Sequence, residues 1–472
     1  MGNLSRNLGG NNEGCFMAMT ISARSTSASP RMPLLKKLFW LYFLLLVFEG
    51  ALRKWVLPQL SAPLLLVRDP VAIIIIWEAY RTHKWPKQWS SVLGILAAGI
   101  LALCFIQLVA GDNPWFVAMY GVRSYLLPFP VAFIMGENLD KDDLRKFGRW
   151  ILLLLLPLTV LEVAQYNAPS SSILNVGASV GTRQLEYADS HVRASATFSY
   201  VTGPGNYIPL AGAFIFFGIV DDKFAKKWLI YAASVALLIA IPVTGSRSLA
   251  VLLIAEIACV AMAAMFGVSQ LASALKAVVA LMVVAALVSQ LPIISRSTHT
   301  FQDRLANASA TEGSSEDTIE ARVVYPIVQA AEASFSAEDW FGAGMGLGSN
   351  AAASLLTGTQ KFLAGEGEFG RVLFEFGPLF GFAFMIARFM LSIMILGKAL
   401  SRVRDHEPLA WFLVPSLFSL LAFGTLEQPT IQGFTVLTVG FSLAAIRRVG
   451  FPVDSAFSLD PRTNRLLGRL RD

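Results

Sequence analysis

An all-α, polytopic membrane protein of about twelve transmembrane helices is the fold this sequence predicts. Three observations carry the prediction. Of 472 residues, 55% are hydrophobic and only 15% charged, with a mean hydropathy of +0.58; a soluble chain carries about a quarter charged residues. Apolar runs close to spanning length recur from residue 34 to residue 446. The charges between these runs are distributed as the positive-inside rule requires.

Residues 1–33 are rich in Ser, Asn, Gly and Arg and read as a flexible cytoplasmic tail. The basic-to-apolar junction KKLFWLYFLLLVF looks like a signal peptide, but no A-x-A site follows it, so it reads as an uncleaved first span over 34–49. Eight more spans fall at 62–80, 90–110, 115–136, 150–166, 206–220, 228–243, 248–267 and 276–292, completing a block of nine over 34–292. A loop near 167–205 interrupts that block. Residues 293–371 form the largest soluble part, a loop between spans 9 and 10. It holds the polar stretch HTFQDRLANASATEGSSEDT, an amphipathic helix candidate IEARVVYPIVQAAEASFSAEDW interrupted by Pro326, and the glycine-rich turn FGAGMGLGSN. Three spans at 372–396, 409–424 and 431–446 fill 372–448, and a tail over 449–472 ends the sequence. Several of these runs are shorter than the roughly 20 residues a span needs, so their ends reach into the flanking loops.

With the N-terminus placed inside, 25 of the 38 Lys and Arg residues fall in cytoplasmic segments, which puts both termini in the cytoplasm and the two long loops outside. A pI near 9.2 would suggest nucleic acid in a soluble chain; here the excess cations serve orientation, and no nucleic-acid partner is expected. Cys15, Cys104 and Cys259 have no metal-site or disulfide spacing, and His83, His191, His299 and His406 are scattered, so neither a metal nor a cofactor is expected. No internal repeat is visible.

The outer side is rich in cations where the positive-inside rule depletes them. Arg53, Lys54, Arg68, Arg123, Arg193, Arg247, Arg322 and Arg371 all fall at or near outer helix ends, while Arg388 lies within a span. One arginine at a helix end is an ordinary snorkelling anchor, and Arg53 and Lys54 in LRKW fit that reading best. Eight together suit a phosphate, which guanidinium groups grip through paired, charge-assisted hydrogen bonds. Arg247, in IPVTGSRSLAVLL, opens a helix whose free N–H groups also attract anions. Arg123 sits about a third of the way into its span, a depth that needs a polar cavity or a partner. Arg193 precedes a membrane segment in HVRASATF, and Arg322 has Glu320 two residues before it, as a plain surface ion pair would. The glycines of GAGMGLG are not a phosphate loop, because no GK[ST] and no strand accompany them; they read as a tight, backbone-exposed turn.

The stretch GEGEFGRVLFEFGPLFG over 365–381 brings acids to a membrane boundary. A helix starting near Gly367 places Glu368, Arg371 and Glu375 at i, i+3 and i+7 on one face. Glu366 falls at the cap, and Gly370, Gly377 and Gly381 permit close helix contact. A capping acid with an internal ion pair and a general base beside a basic pocket both fit this spacing.

In these segments the chain resembles the O-antigen ligase and O-antigen polymerase superfamily of bacterial inner membranes. TGSRSLAVLL is similar to that family's T-x-S-R-G-x-x-L segment. The run from Arg322 to GAGMGLGSN follows its order of arginine, outer helix and G-x-G-x-G. EGEFGRVLFEFGPLFG resembles H-N-x-x-L-x-x-L-x-E-x-G-x-x-G. The motifs cover roughly 190–385; the rest matches by layout. Aligned on Glu375, Gly377 and Gly381, the family's histidine falls on Glu366 and its asparagine on Gly367, a departure that favours a polymerase branch over a ligase.

The resemblance implies a glycosyltransferase at the periplasmic face that needs no metal or nucleotide. Its donor is an undecaprenyl-pyrophosphate-linked oligosaccharide, and its surroundings are membrane lipids and polysaccharide export or chain-length machinery. Arg247 and Arg322 would meet charge developing on the pyrophosphate, with Arg123, Arg193, Arg371 and Glu375 lining the substrate site. Glu366 or Glu368 would take the acceptor's proton. Two other classes fit twelve spans: a lipid-linked oligosaccharide flippase, and a structural subunit of an export complex. The first is disfavoured by the lack of a repeat, and the second leaves the outer arginines unexplained.

Overall fold

The computed structural model describes residues 33–110, 113–179, 181–185, 191–265, 297, 325–336, 340–349, 356 and 367–447. The longer helical elements among them are α1 Leu34–Ala51, α2 Pro58–Arg81, α3 Lys87–Ala110, α4 Trp115–Asn138, α5 Lys141–Asn167, α6 Thr202–Val220, α7 Lys227–Thr244, α8 Arg247–Met265, α9 Tyr325–Ser336, α10 Glu368–Arg404, α11 Val414–Phe423 and α12 Pro429–Ile446. Nine of these are long and apolar enough to cross a membrane among the described residues. The all-α polytopic reading therefore holds, and most helices extend beyond the apolar runs; the span expected over 409–424 is instead two short helices, Leu409–Phe412 and Val414–Phe423. The span expected over 276–292 lies outside the described residues.

The long helices other than α9 pack into one bundle. One end carries the connections 168–201, 245–246, 340–349 and 424–428, and is called the loop end below. α6 and α12 are central, each 78% buried over its apolar window, whereas α2 and α3 are only 28% buried and present their apolar sides outward. α12 packs against α4, α11, α6, α10, α5 and α1. Glycines set its approach to α4. A Cβ on Gly440 would stand 2.8 Å from the Met135 sulfur, and one on Gly136 would stand 3.2 Å from Leu443 Cδ1. Close backbone contact through small residues is how helices gain dispersion energy in lipid.

Local chemistry fixes the helix ends. Asp140 caps α5: its carboxylate accepts from the Asp143 N–H at 2.8 Å, and the Asp143 carboxylate accepts from the Asp140 N–H at 3.1 Å. Lys36 pairs with both acids and ties α1 to α5 at the far end of the bundle. Gly245, at φ 58°, ends α7 in the left-handed conformation and lets α8 begin two residues later.

The described part of the amphipathic helix candidate is α9, which includes Pro326; the residues just before Tyr325 lie outside the described residues. One expectation changes. The stretch entering α10 does not lead into one unbroken helix: α10 breaks at Gly377, whose φ of 71° and ψ of 172° are not helical. The break has a steric origin. The Gly377 backbone passes within van der Waals reach of Trp340 and Gly342, and Pro378 cannot donate the next helical hydrogen bond. Gly377 therefore makes a hinge point rather than a helix–helix contact.

Replacing Gly440 or Gly136 by Leu overfills the α4–α12 contact. The expected cost is about 1–3 kcal/mol, read as a lower thermal unfolding temperature of the detergent-solubilised protein, while an equivalent Leu at Gly94 or Gly99, where a Cβ meets nothing within 4 Å, leaves the transition in place.

Candidate functional site: a buried charge cluster at the loop end

The first half of α10 places Glu368, Arg371 and Glu375 on one face, as their spacing requires, and all three are buried. Glu368 is the hub. One carboxylate oxygen pairs with Arg371. The other accepts from Arg388 at 2.5 Å, beyond the Gly377 break, and from the Leu426 N–H at 3.4 Å. Arg388 also donates to the Leu421 carbonyl at 2.7 Å and the Gly424 carbonyl at 2.6 Å, the free carbonyls at the end of α11. Arg371 turns its second nitrogen toward Glu427, 3.4 Å away in the connection between α11 and α12.

Glu375 has a different task. Its carboxylate accepts from the Tyr125 hydroxyl at 2.8 Å and from the Gly348 N–H at 3.0 Å. The glycine-rich turn thereby docks on α10, and the Ala343 N–H to Phe374 carbonyl bond of 2.8 Å adds to it. From α3, the Gln107 side chain donates to the Phe341 and Glu375 carbonyls at 2.6 and 2.7 Å and accepts from the Met345 N–H at 2.8 Å. The turn is thus buried between α3, α4 and α10, not backbone-exposed as its composition suggested. Gly346 lies so close to Gly121 of α4 that neither position has room for a side chain.

A second group of charges adjoins the first. Glu49, near the end of α1, pairs with Arg53 at 3.4 Å and with Arg68 at 3.2 Å. Arg68 also donates to the Pro429 carbonyl at the start of α12. Arg53 donates to Ser199 Oγ at 2.8 Å, and Lys54 donates to Ser195 Oγ at 2.5 Å and the Ala196 carbonyl at 3.1 Å. These bonds hold Ala196 at φ 46°, a strained value for alanine, together with Gln165, which bonds both its N–H and its carbonyl. Arg123 pairs with Asp69 at 2.5 Å and stacks over Tyr120 at 4.4 Å. Glu427 feels both Arg371 and Arg123, and Tyr120 feels both Glu427 and Arg123, so one electrostatic system joins the two groups.

Six cations (Arg53, Lys54, Arg68, Arg123, Arg371 and Arg388) therefore meet five carboxylates (Glu49, Asp69, Glu368, Glu375 and Glu427). One positive charge remains in excess when every acid is ionised. The titration of two members near neutrality makes that balance adjustable. Burial, with Arg53 adding to it, pushes the Lys54 ammonium down to about 7. Burial pushes the Glu427 carboxyl up to about 7, against the pull of Arg371. Several guanidinium nitrogens make no hydrogen bond. Arg53 Nε, Arg68 Nη1, Arg123 Nε, and both Nε and Nη1 of Arg371 are sealed from the surface with no hydrogen-bond partner among the described residues.

The expected site residues separate accordingly. Arg123, Arg371, Glu368 and Glu375 come together. Arg53, Lys54 and Arg68 join them and are buried, so they are not snorkelling anchors. Arg193 lies two residues from the Ser195 that Lys54 holds. Arg247 opens α8 half-buried, behind a Ser246 hydroxyl that accepts from the Leu249 N–H at 3.4 Å and lies beside Gly205 of α6. Arg322 and Glu366 lie outside the described residues. Arg388, Glu427, Glu49, Asp69, Gln107 and Tyr125 were not singled out as site residues. For Arg388 the signal was present, because an arginine inside an apolar span is functional or paired by default. No family model matches the chain, and no curated protein matches it.

Removing one partner of a buried ion pair leaves the other uncompensated. Arg388→Met is expected to destabilise the protein by about 3–5 kcal/mol, and Glu368→Gln with Arg388→Met together by less than the sum of the two single changes. Thermal unfolding of the four proteins in detergent measures the coupling; additive losses would mean that the two residues do not act as a pair.

Proposed function

We propose that this chain is a membrane-embedded glycosyltransferase that joins undecaprenyl-pyrophosphate-linked glycan units, as a polysaccharide repeat-unit polymerase does. One observation carries the reading: several buried arginines with N–H groups that no described residue accepts gather at the loop end of the bundle. Such a cluster suits a substrate whose leaving group is a lipid pyrophosphate. Breaking the bond between the sugar's anomeric carbon and the pyrophosphate oxygen leaves negative charge on that oxygen. Preorganised donors in a water-poor site stabilise the developing charge without reorganising. Arg371 and Arg123 are placed for this role, with Arg53 and Arg68 behind them. The apolar sides of the surrounding helices would accommodate the polyprenyl tail. In this reading the loop end faces the periplasm of a bacterial inner membrane, and both termini lie in the cytoplasm.

The resemblance of the 190–385 segments to the O-antigen polymerase and ligase superfamily supports the same class. The polymerase is favoured over the ligase because Glu366 stands where the ligases carry histidine. Arg247 and Arg322 remain assigned to the donor's pyrophosphate by that resemblance.

The test is elongation of a lipid-pyrophosphate-linked oligosaccharide by the purified full-length protein. Arg371→Ala and Arg123→Ala are each expected to slow elongation by about 10²–10³-fold, the loss of about 2–4 kcal/mol of charge stabilisation. Lys223→Ala, at the opposite end of the bundle, leaves the rate unchanged. Movement of the labelled lipid across vesicles without joining of sugars would replace this reading with a flippase.

A further inference from the structure

We infer that Glu427 is the general base of the transfer, a role that rests on the glycosyl-transfer reading above. The geometry selects it from the five carboxylates of the cluster. Glu368 has each oxygen engaged by a guanidinium. Glu375 spends one oxygen on the Tyr125 hydroxyl and the other on the Gly348 N–H. Glu49 spends one on Arg53 and the other on Arg68. Asp69 gives one oxygen to Arg123 at 2.5 Å. Glu427 accepts no hydrogen bond from any described residue, and its one ion-pair contact, to Arg371 Nη1, is 3.4 Å long. The residue is only 5% exposed, yet its oxygens are not among the atoms sealed from the surface. It therefore combines burial with an acceptor that takes no hydrogen bond, next to the Arg371 guanidinium, whose Nε has no hydrogen-bond partner among the described residues and whose Nη1 faces it at 3.4 Å.

Position adds to this. Glu427 lies in the short connection Gly424–Gln428, between the end of α11 and the start of α12. The charged and titratable groups that act on it are Arg371, Glu375 and Glu368 of α10, and Arg123 and Tyr120 of α4. The two arginines favour its ionised form. Burial and the two glutamates oppose it more strongly, which leaves the carboxyl poised near neutrality, where a base both holds and releases a proton readily.

The step balances as follows. A Glu427 carboxylate oxygen takes the proton of the acceptor sugar's hydroxyl. The hydroxyl oxygen forms a bond to the anomeric carbon of the donor glycan. The bond from that carbon to the pyrophosphate oxygen breaks, and its electron pair stays on the pyrophosphate, beside Arg371. The proton then leaves Glu427 for the departing pyrophosphate or for water, which restores the carboxylate. No oxidant, metal or further reactant enters.

The ionised form of Glu427 is the active one, so activity is lost as pH falls through its value of about 7. With full-length protein in detergent and a tagged lipid-pyrophosphate-linked oligosaccharide, wild-type kcat is expected to be half-maximal near pH about 7 and to level above it. Glu427→Gln is expected to lower kcat by about 10²–10⁴-fold, abolish the rise, and leave binding of undecaprenyl pyrophosphate intact. If that variant does not survive purification, Glu427→Asp withdraws the carboxyl by one methylene and is expected to lower kcat by about 10–10²-fold while keeping the rise. A Glu427→Gln protein with wild-type kcat and pH profile, beside an inactive Arg371→Ala protein, overturns the base assignment and leaves the transfer reading standing. A wild-type protein that binds the lipid and joins no sugars overturns both.

Discussion

Glu368 sits between two arginines from the two halves of a broken helix, and this clamp organises the loop end of the protein. A lone charge at membrane depth costs about 2.5–3.5 kcal/mol even by the mildest scale, so each of the three groups needs the other two. Satisfying Arg388 draws in the carbonyl end of α11. Satisfying Glu368 draws in the Leu426 N–H of the following connection. Arg371, stretched between Glu368 and Glu427, fixes that connection over α10. Buried ion pairs are weak evidence of net stability, because well-packed apolar residues often do as well. Their effect here is specificity of arrangement: the helix ends meet in one register or leave a charge bare.

The glycine-rich turn meets the opposite demand. It has to lie against α3, α4 and α10 at once, and side chains would hold those helices apart. Gly342, Gly344 and Gly346 all have positive φ, and Gly346 meets Gly121 backbone to backbone. The polar groups of this close-packed backbone find partners in Gln107, Glu375 and the Phe374 carbonyl. The glycines that look like a phosphate loop thus serve packing.

Much of this was legible in the sequence, for physical reasons. A helix in lipid needs a long apolar run, so the runs themselves mark the spans, and the helical period put Glu368, Arg371 and Glu375 on one face. The outer cations stood out because the positive-inside rule makes them anomalous. Their pairing was not legible. Arg68 meets Glu49 of α1, Arg123 meets Asp69 of α2, and Arg388 meets an acid twenty residues earlier across a break. Only the tertiary arrangement of helices decides such partners. The same holds for Lys54, whose place beside a tryptophan suggested an interfacial anchor and whose ammonium instead grips the loop around Ser195. Glu427 sat in an unremarkable LEQP between two apolar runs, with nothing local to mark it.

The central position of α12 bears on how the protein is made. Helices enter the membrane in chain order, so α1 and α2 arrive with Glu49 already able to reach Arg68. The Pro429 carbonyl that completes Arg68, the Gln432 amide that bonds the Ser124 carbonyl, and the Glu427 that faces Arg371 all lie in the last described hairpin. A nascent chain stopped before residue 424 therefore holds its arginines in an open, half-furnished bundle. Assembly of the charge cluster is coupled to arrival of α12, so insertion of no earlier helix completes the site.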